Sequence, residues 1–132
     1  MKDRCNMEKR FGTALNCIDG RTQIPVTQWL KAQYCLDYVD LITEPGMDRM
    51  LSHGQRYDIE RIRENTLISL SAHASQIIAV VGHFDCAANP VSKRQHFTDI
   101  AASTQVIKSW GFPVWVIGLW VDEYGRVEVV CE

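Results

Sequence analysis

The sequence predicts an α/β domain with a mostly parallel central sheet, flanking helices and a C-terminal antiparallel hairpin. Segments with strand character alternate along the chain with segments of helical periodicity, which is typical of parallel β-α-β units. One strand segment, Gln76 to Val81, is a continuous run of Ile, Ala and Val after its first residue, as expected of a central strand covered on both faces. The last two strand segments are separated by a short polar turn, which favours a hairpin.

In the first half of the chain, turn residues separate the predicted elements. Phe11 to Asn16 is predicted as a strand that ends in the polar segment 17–21. Thr27 to Tyr34 is predicted as a short helix, and Tyr38 to Thr43 as a second strand. A Pro-Gly turn follows, because Pro fixes φ and Gly accepts a positive φ. Tyr57 to Ala74 carries Ile and Leu at approximate helical spacing, which predicts a second helix.

The second half of the chain contains a helix with clear start and stop signals. Ser92 and Gln95 have the spacing of a capping box, in which each side chain bonds the backbone N–H of the other residue. The helix is expected to stop at Gly111, because Gly is common just after a helix. Val114 to Trp120 and Arg126 to Cys131 are the two strands of the predicted hairpin.

Length and charge limit the possible functions. With 132 residues and 15.1 kDa, the chain is expected to form one domain over residues 1–132, with a mobile arm at residues 1–10. Fourteen basic and sixteen acidic residues give a net charge of −2, so neither nucleic acid nor an anionic membrane is an expected partner. The chain shows no export signal, and its five cysteines have no disulfide spacing, so we expect a cytoplasmic protein.

Two polar clusters follow predicted strands, at residues 17–21 and 82–86. Ligands of parallel α/β sheets bind outside the carboxyl ends of the strands, so both clusters lie where a site is expected. Cys17 comes from the first cluster, and His83 and Cys86, three residues apart, come from the second. Two thiolates and one imidazole suit Zn²⁺, and three protein ligands leave a fourth position open for water.

Asp19 and Arg21 add a charged pair beside the predicted zinc ligands. Asp19 lies two residues after Cys17 and is expected to point the same way in an extended segment. Arg21 can hold this carboxylate in a charge-assisted pair and keep its pKa low. Asp19 could then orient a zinc-bound hydroxide, or close the fourth position if Arg21 released it. A structural zinc site with Asp19 or Asp85 as a fourth ligand remains an alternative.

This combination resembles the zinc signature of the β-class carbonic anhydrases, Cys17-x-Asp19-x-Arg21 followed by His83-x-x-Cys86. Residues 80–83 and 117–127 are similar to later segments of the same family. The resemblance implies the β-carbonic anhydrase fold and a zinc enzyme that reversibly hydrates carbon dioxide to bicarbonate. It assigns the ligand roles to Cys17, His83 and Cys86 and the catalytic dyad to Asp19 and Arg21. It also implies a homodimer or a higher homo-oligomer.

The sequence departs from the family pattern at three places. Gly20 stands where the family usually has Ser, and Ala87 stands where Gly is usual, which matters if the backbone there needs a positive φ. Only sixteen residues precede Cys17, where family members have helices that contact the partner subunit. Two alternatives therefore stay open, a related enzyme acting on carbonyl sulfide or carbon disulfide, and a non-catalytic zinc-binding or regulatory protein.

The remaining His and Cys residues are given simpler roles. His53 is predicted to lie in a loop, where it could shuttle protons or be merely solvated. Asp85 is expected to serve as a turn residue or to accept a hydrogen bond near the metal. The other expectations are solvent or pocket-edge positions for His73 and His96, buried positions for Cys35 and Cys131, and a place in the mobile arm for Cys5.

Overall fold

The computed structural model describes residues 9–132, which form one sheet with helices on both faces. Cys5 and most of the predicted arm at residues 1–10 lie outside the described residues. The strands are β1 Phe11–Asn16, β2 Tyr38–Thr43, β3 Ile77–His83, β4 Trp115–Val121 and β5 Val127–Cys131. The helices are α1 Gly20–Tyr34, α2 Met47–His53, α3 Arg56–His73 and α4 Lys93–Ser109. The predicted fold class is confirmed.

The five strands lie in the order β2-β1-β3-β4-β5. Strands β2, β1, β3 and β4 run parallel to one another. Strand β5 pairs antiparallel with β4, as the predicted hairpin requires. The pairing of β1 with β3 places Leu15 beside Val80. The residues that follow β1 therefore lie next to the end of β3, at the carboxyl edge of the sheet.

Apolar side chains fill both faces of the sheet. One face packs against Val26 and Leu30 of α1, and the other face packs against α2, α3 and α4. All seven residues of β3 are buried, which confirms the prediction of a central strand covered on both sides. Within residues 9–132, no helix is long and apolar enough to cross a membrane.

Helix α1 begins seven residues earlier than predicted, at Gly20 instead of Thr27. The Asp19 side chain accepts a hydrogen bond from the Arg21 backbone N–H and so caps the helix. Pro25 lies inside α1, where it cannot donate to the carbonyl of Arg21, but the helix continues. Burial of Thr22, Val26 and Leu30 stabilises the helix on both sides of the proline.

Helix α2 was not predicted, and it changes the expected place of His53. The helix follows Gly46, whose φ of 60° is left-handed, and has seven residues with Met47 and Leu51 buried. His53 is its last residue, not a loop residue.

The capping box of α4 is only half formed. Ser92 accepts from the backbone N–H of Gln95, but the Gln95 side chain donates to Asp99 and not to the backbone of Ser92.

Three further expectations about His and Cys residues are wrong. Cys35 is exposed and ends α1 with a left-handed φ of 53°, and Cys131 on the edge strand β5 is only half-buried. His96 is buried inside the fold, where its Nδ1 lies 2.6 Å from an oxygen of Asp48. His73 is partly exposed and pairs with Asp40, in agreement with the expected surface position.

Gly82 of β3 has no room for a side chain. An added Cβ would lie 2.8 Å from Oδ2 of Asp48 and 2.8 Å from Cδ1 of Ile100. Both neighbours are buried and packed, so neither can give way without disturbing its own contacts.

We therefore expect Gly82→Ala to lower the free energy of unfolding by about 1–3 kcal/mol, the usual cost of overpacking a core. Urea denaturation monitored by circular dichroism would measure the change. Gly20→Ala is the matched control, because an added Cβ there has no atom within 4 Å, and it should leave stability within about 0.5 kcal/mol. Equal stability of the two variants would contradict the prediction.

Candidate metal centre

Cys17, His83 and Cys86 meet at the carboxyl edge of the sheet. One ligand atom from each residue lies within 4.8 Å of the others, and all three residues are buried. Cys17 directly follows β1, and His83 is the last residue of the neighbouring strand β3. The side chain of Asn16 holds the start of the loop, because its Oδ1 accepts from the Cys17 backbone N–H at 2.9 Å. The structure therefore brings together the three residues that the spacing singled out.

The two ring nitrogens of His83 have different surroundings. Nδ1 donates to the Phe84 carbonyl at 2.8 Å, which fixes the ring orientation. Nε2 is buried and has no hydrogen-bond partner among the described residues. A buried nitrogen without a partner is costly in a core, but it is the arrangement expected of a metal ligand whose other nitrogen is held by a carbonyl.

Backbone N–H groups surround the two sulfur atoms. Cys17 Sγ accepts from the N–H of Gly46 at 3.5 Å and from that of Asp19. The backbone N–H groups of Ala88 and Asn89 act to lower the pKa of Cys86. Such donors stabilise the thiolate form, which is the form that binds a metal.

The two thiols and the imidazole affect the pKa values of one another. The hydrogen bond from Cys86 lowers the pKa of the Cys17 thiol, against the opposing effect of burial. The same contact raises the pKa of Cys86, and burial raises it further. Burial opposes the charged form of His83, but the adjacent Cys17 and the Phe84 carbonyl outweigh it and raise the pKa of His83. The contact between the two sulfur atoms therefore favours a thiolate at Cys17 over one at Cys86.

Asp19 and Arg21 form a tight pair beside this cluster. Oδ1 of Asp19 accepts from the backbone N–H and from Nε of Arg21, at 2.9 and 3.0 Å. Oδ2 accepts from Nη2 of Arg21 at 2.7 Å. These bonds from Arg21 lower the pKa of Asp19 to about 2, so the carboxylate stays ionised and can only accept hydrogen bonds near neutral pH.

Asp85 forms the tight turn between His83 and Cys86. Its φ of 58° is left-handed, and it receives Nη1 of Arg21 on its carboxylate at 3.4 Å and Nη2 on its carbonyl at 3.2 Å. Ala87 is not among the residues with positive φ, so replacing Gly by Ala there introduces no backbone strain. Within residues 9–132, neither Asp19 nor Asp85 joins the cluster of three ligand atoms.

A small cavity of about 220 Å³ opens beside His83 and Arg21. Thr22 and Phe84 line it on one side, and the turn between β4 and β5 closes the other. The cavity is below the usual size of pockets for drug-sized ligands, so it suits a molecule of a few atoms.

The chain was compared with protein-family models and with curated proteins. A family model described as "Putative carbonic anhydrase" matches residues 7–131 of the chain. The search of curated proteins found no match.

Two solved structures have a similar fold. One is a tetrameric β-carbonic anhydrase from the filamentous ascomycete Sordaria macrospora, with a TM-score of 0.60 and 11% identity, covering 95% of this chain and 82% of that chain. The other is the β-carbonic anhydrase CafA of the fungal pathogen Aspergillus fumigatus, with a TM-score of 0.52 and 13% identity, covering 95% of this chain and 78% of that chain. At this identity, the similarity concerns the fold.

The raised pKa values in the cluster predict how metal binding depends on pH. The pKa values of Cys86 and His83 are raised, so protons compete with a metal for both groups. Zinc affinity should therefore increase with pH, by about tenfold per unit for each proton displaced. Competition with a chelating dye from about pH 6 to about pH 8 would measure it.

Cys131→Ser is the control for this measurement, because Cys131 is a free thiol on the edge strand and lies outside the cluster. It should reproduce the affinity and the pH dependence of the wild type. Zinc affinity that does not change over this pH range would contradict the raised pKa values of Cys86 and His83.

Proposed function

The chain belongs to the carbonic anhydrase family whose model it matches over residues 7–131, and on this basis we propose that it reversibly hydrates carbon dioxide to bicarbonate. The cofactor is a zinc ion held by Cys17, His83 and Cys86. When bound, zinc supplies a Lewis acid that ionises water to the hydroxide that attacks carbon dioxide.

The buried Nε2 of His83 is the observation that carries the zinc site. Among residues 9–132 it has no hydrogen-bond partner, and it lies with two sulfur atoms inside a cluster 4.8 Å across. Two sulfurs and one imidazole nitrogen match the ligand preference of zinc, and three ligands leave a position for a substrate. Asp19 is engaged by Arg21 on both of its oxygens, which supports an open fourth position over a closed site with four protein ligands.

Asp19 and Arg21 act as the catalytic dyad in this proposal. Because Asp19 is ionised, it accepts the hydrogen of the attacking hydroxyl group and directs the lone pair of that oxygen toward carbon. Arg21 fixes both carboxylate oxygens and so sets the direction in which Asp19 accepts. The dyad therefore works by orientation and not by proton donation.

The size of the neighbouring cavity supports a substrate as small as carbon dioxide. Arg21 and His83 both line it, so a molecule bound there lies next to one member of the dyad and one of the proposed metal ligands. Carbonyl sulfide and carbon disulfide are of similar size, and a zinc-loaded protein that fails to hydrate carbon dioxide should be assayed on both.

The protein is also proposed to be a cytoplasmic homo-oligomer. Ile18, Ile24 and Phe84 are exposed apolar side chains on or next to the segments that carry the metal cluster. Burial of such side chains in an interface is favourable. Cys17, Cys86 and Cys131 are not in disulfides, which suits a reducing compartment. Sedimentation analysis would establish the number of subunits.

Asp19→Asn should lower carbon dioxide hydration by about two orders of magnitude while the zinc content stays unchanged. The amide keeps the shape of the side chain but loses the charge that Arg21 orients. The assay is stopped-flow hydration on protein with one zinc per chain. In the wild type, activity should increase on the alkaline side of neutrality, because two thiolates neutralise the charge of zinc and reduce its effect on the pKa of water.

Asp58→Asn serves as the control for this substitution. Asp58 also pairs with an arginine, Arg61, at 3.3 Å, but on α3 and outside the ligand cluster. It should retain full activity. Full activity in Asp19→Asn would exclude the dyad, and an activity that is flat from about pH 6 to about pH 9 would argue against hydroxide as the nucleophile.

A further inference from the structure

A buried polar cluster lies behind the candidate metal centre and consists of Asp48, Asn89, His96 and Asp99. All four residues are at most 2% exposed. They come from α2, α4 and the loop after Cys86. The sequence analysis gives none of them a catalytic or metal-binding role.

Asn89 is the residue that joins the parts of this cluster. Its Nδ2 donates to Oδ1 of Asp48 at 3.1 Å and to Oδ2 of Asp99 at 3.1 Å. An amide group has two N–H donors, so each buried carboxylate receives one. His96 donates to the other oxygen of Asp48, and Gln95 donates to the other oxygen of Asp99.

The backbone of Asn89 belongs to the metal centre itself. Asn89 follows Cys86 by three residues in the same loop, and its N–H and that of Ala88 act to lower the pKa of the Cys86 thiol. The side chain of Asn89 therefore binds α2 and α4, while its backbone belongs to the loop of Cys86.

The other sulfur is held from the start of α2. Gly46 donates its N–H to Cys17 Sγ, and Asp48, two residues later, is the carboxylate that Asn89 binds. The two loops touch, because a Cβ added to Gly46 would lie 3.1 Å from the Cβ of Ala88. Arg49 closes the same contact by donating to the Ala88 carbonyl at 3.2 Å.

From this geometry we propose that Asn89 is a positioning residue for the metal centre, whose amide bridge between Asp48 and Asp99 sets the separation of Cys17 and Cys86. The inference rests on the proposed zinc site and extends it to a residue that binds no metal. The bridge ties the loop of Cys86 to the helix start that holds Cys17. Without it, each thiolate would keep its own N–H donors, but the two loops would no longer be fixed relative to each other.

The test is the zinc affinity of Asn89→Ala, measured with a competing chelator. Loss of an outer residue that orients metal ligands typically weakens binding by about 10- to 100-fold, and we expect a loss in this range. Cobalt is the second probe, because its visible absorption reports the arrangement of the ligands. The cobalt spectrum of Asn89→Ala should differ from that of the wild type. Circular dichroism of the metal-free proteins shows whether the fold is retained.

Ser103→Ala is the matched control. Ser103 is fully buried in the same region and donates to the backbone carbonyls of Asp48 and Asp99, at 2.9 and 2.7 Å. Its loss removes bonds to the same two residues but leaves the amide bridge in place. Zinc affinity and the cobalt spectrum should match those of the wild type even if stability falls. If Asn89→Ala does not fold, Asn89→Ser, which leaves room for a bridging water, is measured instead with the same expectation.

Two results would overturn the inference, and they can be distinguished. Wild-type zinc affinity together with a wild-type cobalt spectrum in a folded Asn89 variant would exclude the positioning role alone. A wild-type protein that binds neither zinc nor cobalt would exclude the proposed metal site and the positioning role with it.

Discussion

Parallel pairing of β1 with β3 is the constraint on which the candidate site depends. Because these strands are neighbours in register, the residue after β1 and the last residue of β3 come to the same edge of the sheet. Cys17 and His83 therefore meet although they are 66 positions apart in the sequence. The left-handed turn at Asp85 then returns the chain so that Cys86 joins them. A shift of register between the two strands would separate the ligands without changing any residue of the site.

The strands and the meeting of Cys17, His83 and Cys86 could be predicted because each leaves a local signal. Buried strands are short apolar runs, and ligands at strand ends follow directly from the parallel topology. Helix α2 could not be predicted in this way, since seven residues are too few for a helical period to be visible and Gly46 makes no side-chain cap. The start of α1 was missed for a related reason, because Asp19 was considered for its charge and not as a helix cap.

The role of Asn89 also leaves no local signal. Its two carboxylate partners lie 41 and 10 positions away, and nothing in the sequence around Asn89 distinguishes it from a residue in an exposed turn. Its contacts arise only when α2 and α4 pack on the same face of the sheet. Burying two carboxylates is costly unless every oxygen is satisfied, and here the four oxygens of Asp48 and Asp99 all accept hydrogen bonds. This requirement explains why His96 is buried and why Gln95 reaches Asp99 instead of capping α4.

Asp19 has two tasks at once, as the cap of α1 and as the partner of Arg21. For its carboxylate to move onto a metal, it would have to release the bonds from Arg21 and leave the first turn of α1 uncapped, a loss of about 1 kcal/mol for the cap alone. The cap of α1 is thereby linked to the position of the Asp19 carboxylate. Any effector that brought this carboxylate onto a metal would have to offset the loss of the cap as well.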